Sequence, residues 1–182
     1  MTKAVLETVA RRALEEAARQ RLQLGQLFCE NQFRYIVMSR LSHEGTFGKI
    51  GYSPVSQVTK SLILELNYWN NVNNINQGRG RSSIDLASIK KDSIDDYNNA
   101  KYKPQPLAVE TKINYNDPKL PADYKSCKSY LRKGGSTRFQ YAMLLVAGSR
   151  TPNIIEPERS NNSKLLYGYL DSDQNPVIYW AK

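Results

Sequence analysis

The spacing of apolar positions changes several times along the chain, and each change predicts an element. Apolar residues recur at helical spacing over 3–24, 27–42 and 122–133, so we expect helices there. Alternating or unbroken apolar runs are typical of strands. The runs of this kind are 83–89, 107–113, 139–147, 165–170 and 176–180, the last two forming a terminal hairpin.

Two segments before residue 70 are less regular. Glycine and proline residues over 45–58 predict turns. The segment 59–69 fits two patterns, because its leucines alternate as in a strand while Val58, Leu62 and Leu66 also fit a helix. A strand over 60–69 is preferred, since the strand that follows it needs a hydrogen-bonding neighbour.

The predicted elements imply an order and a pairing. From residue 28 the order is helix, strand, strand, strand, helix, strand. The helix over 122–133 crosses between 107–113 and 139–147, and strands joined by such a crossover usually pair in parallel. The expected fold class is therefore α/β.

Composition bounds the class of protein. With 182 residues, 40% hydrophobic and 24% charged, we expect one globular domain over 1–182, with an N-terminal helix to residue 25, a core over 27–150 and a hairpin within 160–182. No apolar run reaches the ~20 residues of a membrane span. The charged N-terminal segment does not predict a secretion signal. Cys29 and Cys127 are too few for a disulfide framework or a zinc site, which predicts reduced thiols in a cytoplasmic protein.

The charge of the chain points to a polyanionic partner. The formal net charge is +9, and nucleic acid is the simplest partner for such a surface. Two polar loops carry the candidate phosphate contacts, which interleave with tyrosines in the second loop. These residues are Arg79, Arg81, Lys90, Lys91, Lys101 and Lys103. A plain solvated turn remains the alternative for the two arginines.

The strand over 107–113 carries the candidate chemistry. Strand side chains alternate between faces, so Glu110 and Lys112 share one face while Val109 and Ile113 share the other. Asp85 stands between aliphatic residues on the predicted strand over 83–89, which precedes this one. Two carboxylates with a lysine beside them suit a divalent-metal site for phosphodiester cleavage. The alternative is a solvated Glu110–Lys112 ion pair, which contributes on the order of 0–1 kcal/mol.

Asp85 followed by Glu110-Thr111-Lys112 resembles the motif of the PD-(D/E)XK nuclease superfamily, and the element order over 29–147 adds to the resemblance. The proline of the nominal motif is replaced, since Ser83-Ile84 precedes Asp85. The resemblance implies a restriction endonuclease-like fold and a Mg²⁺-dependent (or Mn²⁺-dependent) endonuclease.

The resemblance also implies roles for residues. Asp85 and Glu110 would bind the metal, the Thr111 carbonyl and Glu30 would be further ligands, and Lys112 would position the attacking water or stabilise charge on the phosphate. For Glu30, the alternative is a carboxylate favoured only by the helix dipole.

Several functional expectations follow from the resemblance. DNA is preferred over RNA as the substrate, no membrane is involved, and a homodimer is left open. Restriction, defence, mobile elements and repair are the contexts in which such nucleases act. The main alternative is a catalytically inactive nucleic-acid-binding or assembly module on the same fold. A third reading is a subunit whose basic face meets an acidic protein.

Overall fold

The computed structural model describes residues 1–44, 49–52, 60–67, 83–90, 105–131, 139–149 and 156–182. In these residues the chain is an α/β protein with one mixed sheet. The helices are α1 (Lys3–Leu24), α2 (Glu30–Glu44) and α3 (Leu120–Tyr130). The strands are β1 (Lys49–Tyr52), β2 (Lys60–Asn67), β3 (Ser83–Lys90), β4 (Gln105–Lys112), β5 (Phe139–Ser149), β6 (Leu165–Leu170) and β7 (Pro176–Ala181).

The strands lie in the sheet in the order of the sequence, from β1 to β7. Pairing is antiparallel between β2 and β3, between β3 and β4, and between β6 and β7. It is parallel between β1 and β2, between β4 and β5, and between β5 and β6. The parallel pairing of β4 with β5, with α3 in the crossover, is as predicted.

One layer, formed by α1 and α2, covers one face of the sheet. The apolar stripe of α1, including Leu6, Val9 and Leu14, is fully buried, and α1 packs across β5, β6 and β7. Full burial of one such side chain stabilises a fold by roughly 1.5–3 kcal/mol. The side chain of Thr2 caps the helix by accepting a hydrogen bond from the backbone N–H of Val5. Helix α1 also packs against α2, and this packing sets the position of α2 on the sheet.

The other face is covered by α3, which packs on β4 and β5. Its buried residues are Leu120, Cys127 and Tyr130, spaced so that they share one side of the helix. They join a second apolar cluster that contains Ala108 and Leu144 of the sheet. The sheet is therefore buried on both faces at β4 and β5, where the motif residues lie.

Most predicted elements are confirmed, with small changes of boundary. The ambiguous segment forms the strand β2. The second helix begins at Glu30 and not at 27, because Gly25–Leu27 forms a 3₁₀ turn. The interpretation of 45–58 as turns alone is wrong for Lys49–Tyr52. This short strand pairs with β2, and that tertiary partner overrides the local turn signals of its glycine.

None of the described helices is long and apolar enough to cross a membrane. Both cysteines are free thiols, Cys29 exposed and Cys127 buried.

Gly148 on β5 sets the path of the chain just after the motif strand. A Cβ built there would lie 2.8 Å from the carbonyl oxygen of Ile113 and 3.0 Å from the backbone nitrogen of Tyr115. Both atoms are backbone, so they cannot move away without displacing the segment that follows Lys112.

We therefore expect Gly148→Ala to lower the free energy of unfolding by about 2 kcal/mol, in the range of overpacking substitutions. Gly168→Ala is the matched control, since its Cβ would meet side-chain atoms and not backbone: the ends of Leu145 and Leu14, which can rotate, and Cγ1 of Ile178 at ordinary contact distance. Urea unfolding of the wild type and of both variants measures how much each substitution lowers the free energy of unfolding. An equal loss at the two positions would show that close backbone packing at Gly148 is not the cause.

Candidate active site

The Asp85 carboxylate is held by the strand that carries the motif. Asp85 lies on β3, next to the Leu86–Val109 pair that is the last of the antiparallel β3–β4 ladder. Oδ2 of Asp85 accepts hydrogen bonds from the backbone N–H of Thr111 at 2.8 Å and from its hydroxyl at 2.9 Å. The side chain is only 5% exposed. Asp85 is thus oriented by two donors from one residue of β4.

Glu110 lies on the face of β4 that α3 covers. Its side chain is buried, and its Oε1 accepts a hydrogen bond from the Tyr130 hydroxyl at 2.7 Å. Burial and then the nearby Asp85 carboxylate raise the pKa of Glu110 to about 8, against the opposing effect of the Tyr130 hydrogen bond. Glu110 is therefore mostly protonated at neutral pH.

Lys112 faces the same side of β4 as Glu110, as the strand alternation predicts. Its Nζ lies 3.3 Å from Oε1 of Glu30 on α2 and 3.3 Å from Oδ2 of Asp123 on α3. Burial alone would lower the pKa of Lys112, but Asp123, Glu30 and Asp85 outweigh it and hold the pKa above its usual value. The ammonium is charged and oriented from both layers of the fold.

Burial contradicts the alternative of a solvated Glu110–Lys112 ion pair. The two residues are 4% and 8% exposed. Lys112 forms ion pairs with residues of α2 and α3, and Glu110 accepts a hydrogen bond from Tyr130. A buried charge costs free energy unless it is paired. Solubility therefore does not explain why Glu110 and Lys112 are retained at these buried positions.

The first turns of α2 add a carboxylate and a guanidinium. Nη2 of Arg34 lies 2.7 Å from Oε1 of Glu30 and 2.7 Å from Oδ1 of Asp85. Arg34 therefore joins the helix to the motif strands. Glu30 lies in the first turn, where the helix dipole favours it, but it also contacts Lys112 and Arg34. The dipole alone does not account for its position.

Carboxyl groups outnumber cations in this buried cluster. Glu30, Asp85, Glu110 and Asp123 surround Arg34 and Lys112. Burial raises the pKa of Asp85 and of Asp123, although Arg34 and Lys112, respectively, oppose the shift. The excess of acid means that added positive charge would be favourable here.

The carboxylates of the cluster are the candidate metal ligands. In the part of the chain that the structure describes, no group of three or more His, Cys, Asp or Glu side chains is placed to hold a metal ion. Glu30, one of the four expected ligands, is turned towards Arg34 and Lys112. Asp85 and Glu110 are hard oxygen donors of the kind that Mg²⁺ uses, and Mg²⁺ often takes only one or two carboxylates in addition to water and substrate oxygens. These two side chains have the oxygen donors that the ion requires.

Sequence reasoning missed three members of the cluster: Arg34, Asp123 and Tyr130. The four-residue spacing of Glu30 and Arg34 was a usable signal, because such pairs meet on one helix face. Asp123 and Tyr130 are seven residues apart on α3, which also places them on one face. That this face meets the motif strands is decided by the β4–β5 crossover and could not be seen locally.

The predicted nucleic-acid contacts have a different outcome. Arg79, Arg81, Lys91, Lys101 and Lys103 lie outside the described residues and stay predictions. Lys90 is the last residue of β3, and only its backbone is described. It stands five residues from Asp85, about 17 Å along an extended strand. The structure therefore does not bring the Lys90 backbone next to the carboxylates.

The raised pKa of Glu110 predicts how stability depends on pH. The folded-state pKa, about 8, exceeds the ordinary value of 4.5, so the folded protein holds the proton more tightly. This contribution is complete below the ordinary pKa and is lost as pH rises through the folded-state value. Glu110→Gln keeps an oxygen acceptor for Tyr130 and removes the ionisation.

We expect Glu110→Gln and the wild type to have similar stability near pH 4.5. Between that pH and about 8, the variant should gain on the wild type by at most about 1.4 kcal/mol per pH unit. Urea unfolding across the pH range is the measurement. Glu158→Gln, which removes one exposed carboxylate, is the control. A difference between Glu110→Gln and wild type that does not change with pH would mean that Glu110 ionises normally.

Comparison with protein-family models, with curated proteins and with solved structures gives no match to this chain. The geometry of the cluster therefore carries the functional interpretation.

Proposed function

We propose that the protein is a metal-dependent nuclease that hydrolyses phosphodiester bonds, with DNA as its expected substrate. The observation that carries the proposal is the buried placement of Asp85 and Glu110 on adjacent strands, with the Lys112 ammonium on the Glu110 face. Burial raises the pKa of Glu110 to about 8, and carboxyl groups with a strongly raised pKa cluster at functional sites.

Each residue has a role in this proposal. Asp85 and Glu110 would hold Mg²⁺, with the Thr111 carbonyl as a further oxygen donor. When bound, the ion supplies Lewis-acid polarisation of the phosphate and a more acidic water. Lys112, held from two sides by Glu30 and Asp123, directs its positive charge to phosphoryl oxygens and orients the attacking water. Tyr130 fixes the rotamer of Glu110.

The order of elements supports the finer fold assignment that belongs to this proposal. From α2 the chain runs through β2, β3, β4, α3 and β5, with antiparallel, antiparallel and parallel pairing in turn. Apart from the added strand β1, this is the helix, three strands, helix, strand order of a restriction endonuclease-like core. The free thiols and the net charge of +9 suit a cytoplasmic protein that meets nucleic acid.

One observation favours the second candidate, a catalytically inactive nucleic-acid-binding module. Arg34 already neutralises Asp85 and Glu30 within the cluster. A protein that never binds a metal would need such an internal cation to make its buried acids tolerable. The two candidates differ in whether the cluster binds a divalent ion and cleaves.

We expect Lys112→Met to reduce Mg²⁺-dependent cleavage by at least about 100-fold, as loss of a positioned catalytic group does. Methionine keeps the length and apolar stem of the side chain and removes only the charge. Plasmid, single-stranded DNA and RNA are each incubated with Mg²⁺, with Mn²⁺ and with EDTA, and a melting curve checks that the variant is folded.

Lys164→Met, at an exposed position before β6, is the matched control and should cleave like wild type. If Lys112→Met cleaves at the wild-type rate, Lys112 has no role in the chemistry. If the folded wild type binds DNA but cleaves none of the three substrates with either metal, the inactive-module candidate replaces the nuclease.

Arg34 gives a separate prediction about metal binding. Its guanidinium contacts Oδ1 of Asp85 directly, so it competes with a divalent ion for the same carboxylate. We expect Arg34→Gln to bind Mn²⁺ about tenfold more tightly, because a pairing worth about 1.4 kcal/mol is a factor of ten in affinity. Isothermal titration calorimetry measures the change, with Asp85→Asn expected to abolish binding.

The control for Arg34→Gln is Arg11→Gln, which removes one positive charge from an exposed position on α1. Equal Mn²⁺ affinity in both variants would mean that Arg34 does not compete at the metal position. Detectable Mn²⁺ binding by folded Asp85→Asn would instead place the ion elsewhere.

A further inference from the structure

A concave site lies on the α3 face of the sheet, the face that also carries Glu110. It is a cavity of about 510 Å³ between the start of α3, the segment after β4 and the start of the C-terminal segment. Pockets of roughly 300–1,000 Å³ with apolar linings and a few polar groups are typical small-molecule sites. The residues that define it here are Tyr115, Tyr124, Tyr167, Leu144, Pro121 and Glu156.

The strand register places this cavity next to the cluster. Glu110 on β4 pairs with Leu144 on β5, and Leu144 pairs with Tyr167 on β6. Paired residues in neighbouring strands point to the same face, and strands are about 4.8 Å apart. Tyr167 therefore stands two strands, about 10 Å, from Glu110 on the same face. Two nucleotide units of an extended single strand are long enough to span that distance.

Helix α3 serves both places. Asp123 contacts Lys112 in the cluster, while the next residue, Tyr124, lines the cavity. The Tyr124 ring lies edge-on to Tyr167, with centroids 6.4 Å apart, and its hydroxyl donates to the carbonyl of Lys182. A group seated in the cavity would therefore contact the same helix that orients the lysine.

The lining selects a flat, neutral, aromatic ligand. Tyr124 is half-buried and is the ring on which a flat ligand can stack. The buried rings of Tyr115 and Tyr167 form the wall behind it, and the hydroxyl of Tyr167 donates to that of Tyr115 at 2.9 Å, which fixes both rings. Glu156 and Asp117 are the carboxylates of the lining, and Glu156 accepts a hydrogen bond from the Tyr169 hydroxyl. A carboxylate in the lining disfavours a phosphate inside and favours ring N–H and amino donors.

The rim has the opposite charge. Nζ of Lys128 lies 5.6 Å from the centroid of the Tyr124 ring, on the exposed side of α3. Aromatic rings beside a cation are the usual surroundings of a single-stranded nucleotide, with the base on the rings and the phosphate near the cation. The lining and the rim thus match the two ends of one nucleotide.

We propose that this cavity binds an unpaired nucleobase of the substrate strand, with a preference for guanine. The Watson–Crick edge of guanine carries a ring N–H and an amino group that a single carboxylate can accept together, whereas thymine presents only one N–H. The proposal rests on the proposed function for the identity of the ligand. It adds that base contacts two strands, about 10 Å, from Glu110 help to position the strand.

The test measures binding without cleavage, using the full chain in EDTA. The probes are fluorescein-labelled single-stranded thymine oligonucleotides, with and without one central guanine, and anisotropy gives the affinity of each. The variants are Tyr124→Ala, with Tyr124→Leu as a milder change, and Glu156→Gln. Tyr35→Ala is the control, because Tyr35 is 49% exposed on α2, in the other layer. Melting curves confirm that each protein is folded.

Wild type should prefer the guanine probe. Tyr124→Ala should bind it about tenfold more weakly, a typical loss for one stacked base, while Tyr35→Ala binds as wild type does. Glu156→Gln should lose the preference for guanine and keep its affinity for the thymine probe, an outcome that a merely structural role would not produce. If Tyr124→Ala and Tyr124→Leu bind like Tyr35→Ala, or if Glu156→Gln keeps the guanine preference, the base site is overturned.

Failure of this proposal is distinguishable from failure of the nuclease. Mg²⁺-dependent cleavage by the wild type, together with unchanged binding by the Tyr124 variants, would remove the base site alone. If Glu156→Gln loses the guanine preference but the wild type cleaves under no metal condition, the base site is supported. The protein is then a nucleic-acid-binding protein and not a nuclease.

Discussion

The Asp85 carboxylate carries the connection on which the rest of the site depends. It accepts two hydrogen bonds from Thr111 of β4 through one oxygen and the Arg34 guanidinium of α2 through the other. Hydrogen bonds to charged groups are worth about 1.5–3 kcal/mol each, whereas an unpaired buried carboxylate is strongly unfavourable. The same contacts therefore make the acid tolerable and join β3, β4 and α2.

The cluster as a whole is not arranged for maximal stability. Glu110 keeps a proton at neutral pH because it is buried beside Asp85. Only two cations of the cluster, Arg34 and Lys112, are available to pair with its four carboxyl groups. Apolar residues of similar volume would often be more stable in such a position. Proteins retain local arrangements of this kind where function needs them, and the rest of the fold compensates. Here the compensation comes from two buried apolar clusters, one on each face of the sheet.

Helix α3 links the acidic cluster with the tyrosine-lined cavity. One side of the helix is anchored by Leu120, Cys127 and Tyr130, so its position on β4 and β5 is fixed by packing. Asp123 and Tyr124, adjacent in sequence, consequently face different sites. A ligand spanning both would meet groups whose relative positions are set by one rigid element.

The sequence by itself determined the elements whose pattern is strong. The helix over Lys3–Leu24, the hairpin of β6 and β7, the strand alternation of Glu110 and Lys112 and the parallel pairing of β4 with β5 all follow from local periodicity and connection rules. The strand β1 did not follow, because its partner, and not its own residues, makes it a strand. The tertiary structure alone decided that Arg34, Asp123 and Tyr130 meet the motif residues. Side-chain contacts between elements depend on crossing positions and on depth of burial, and neither is encoded in the spacing of residues along one segment. The protonated state of Glu110 has the same origin, since it arises from desolvation and from a carboxylate on another strand.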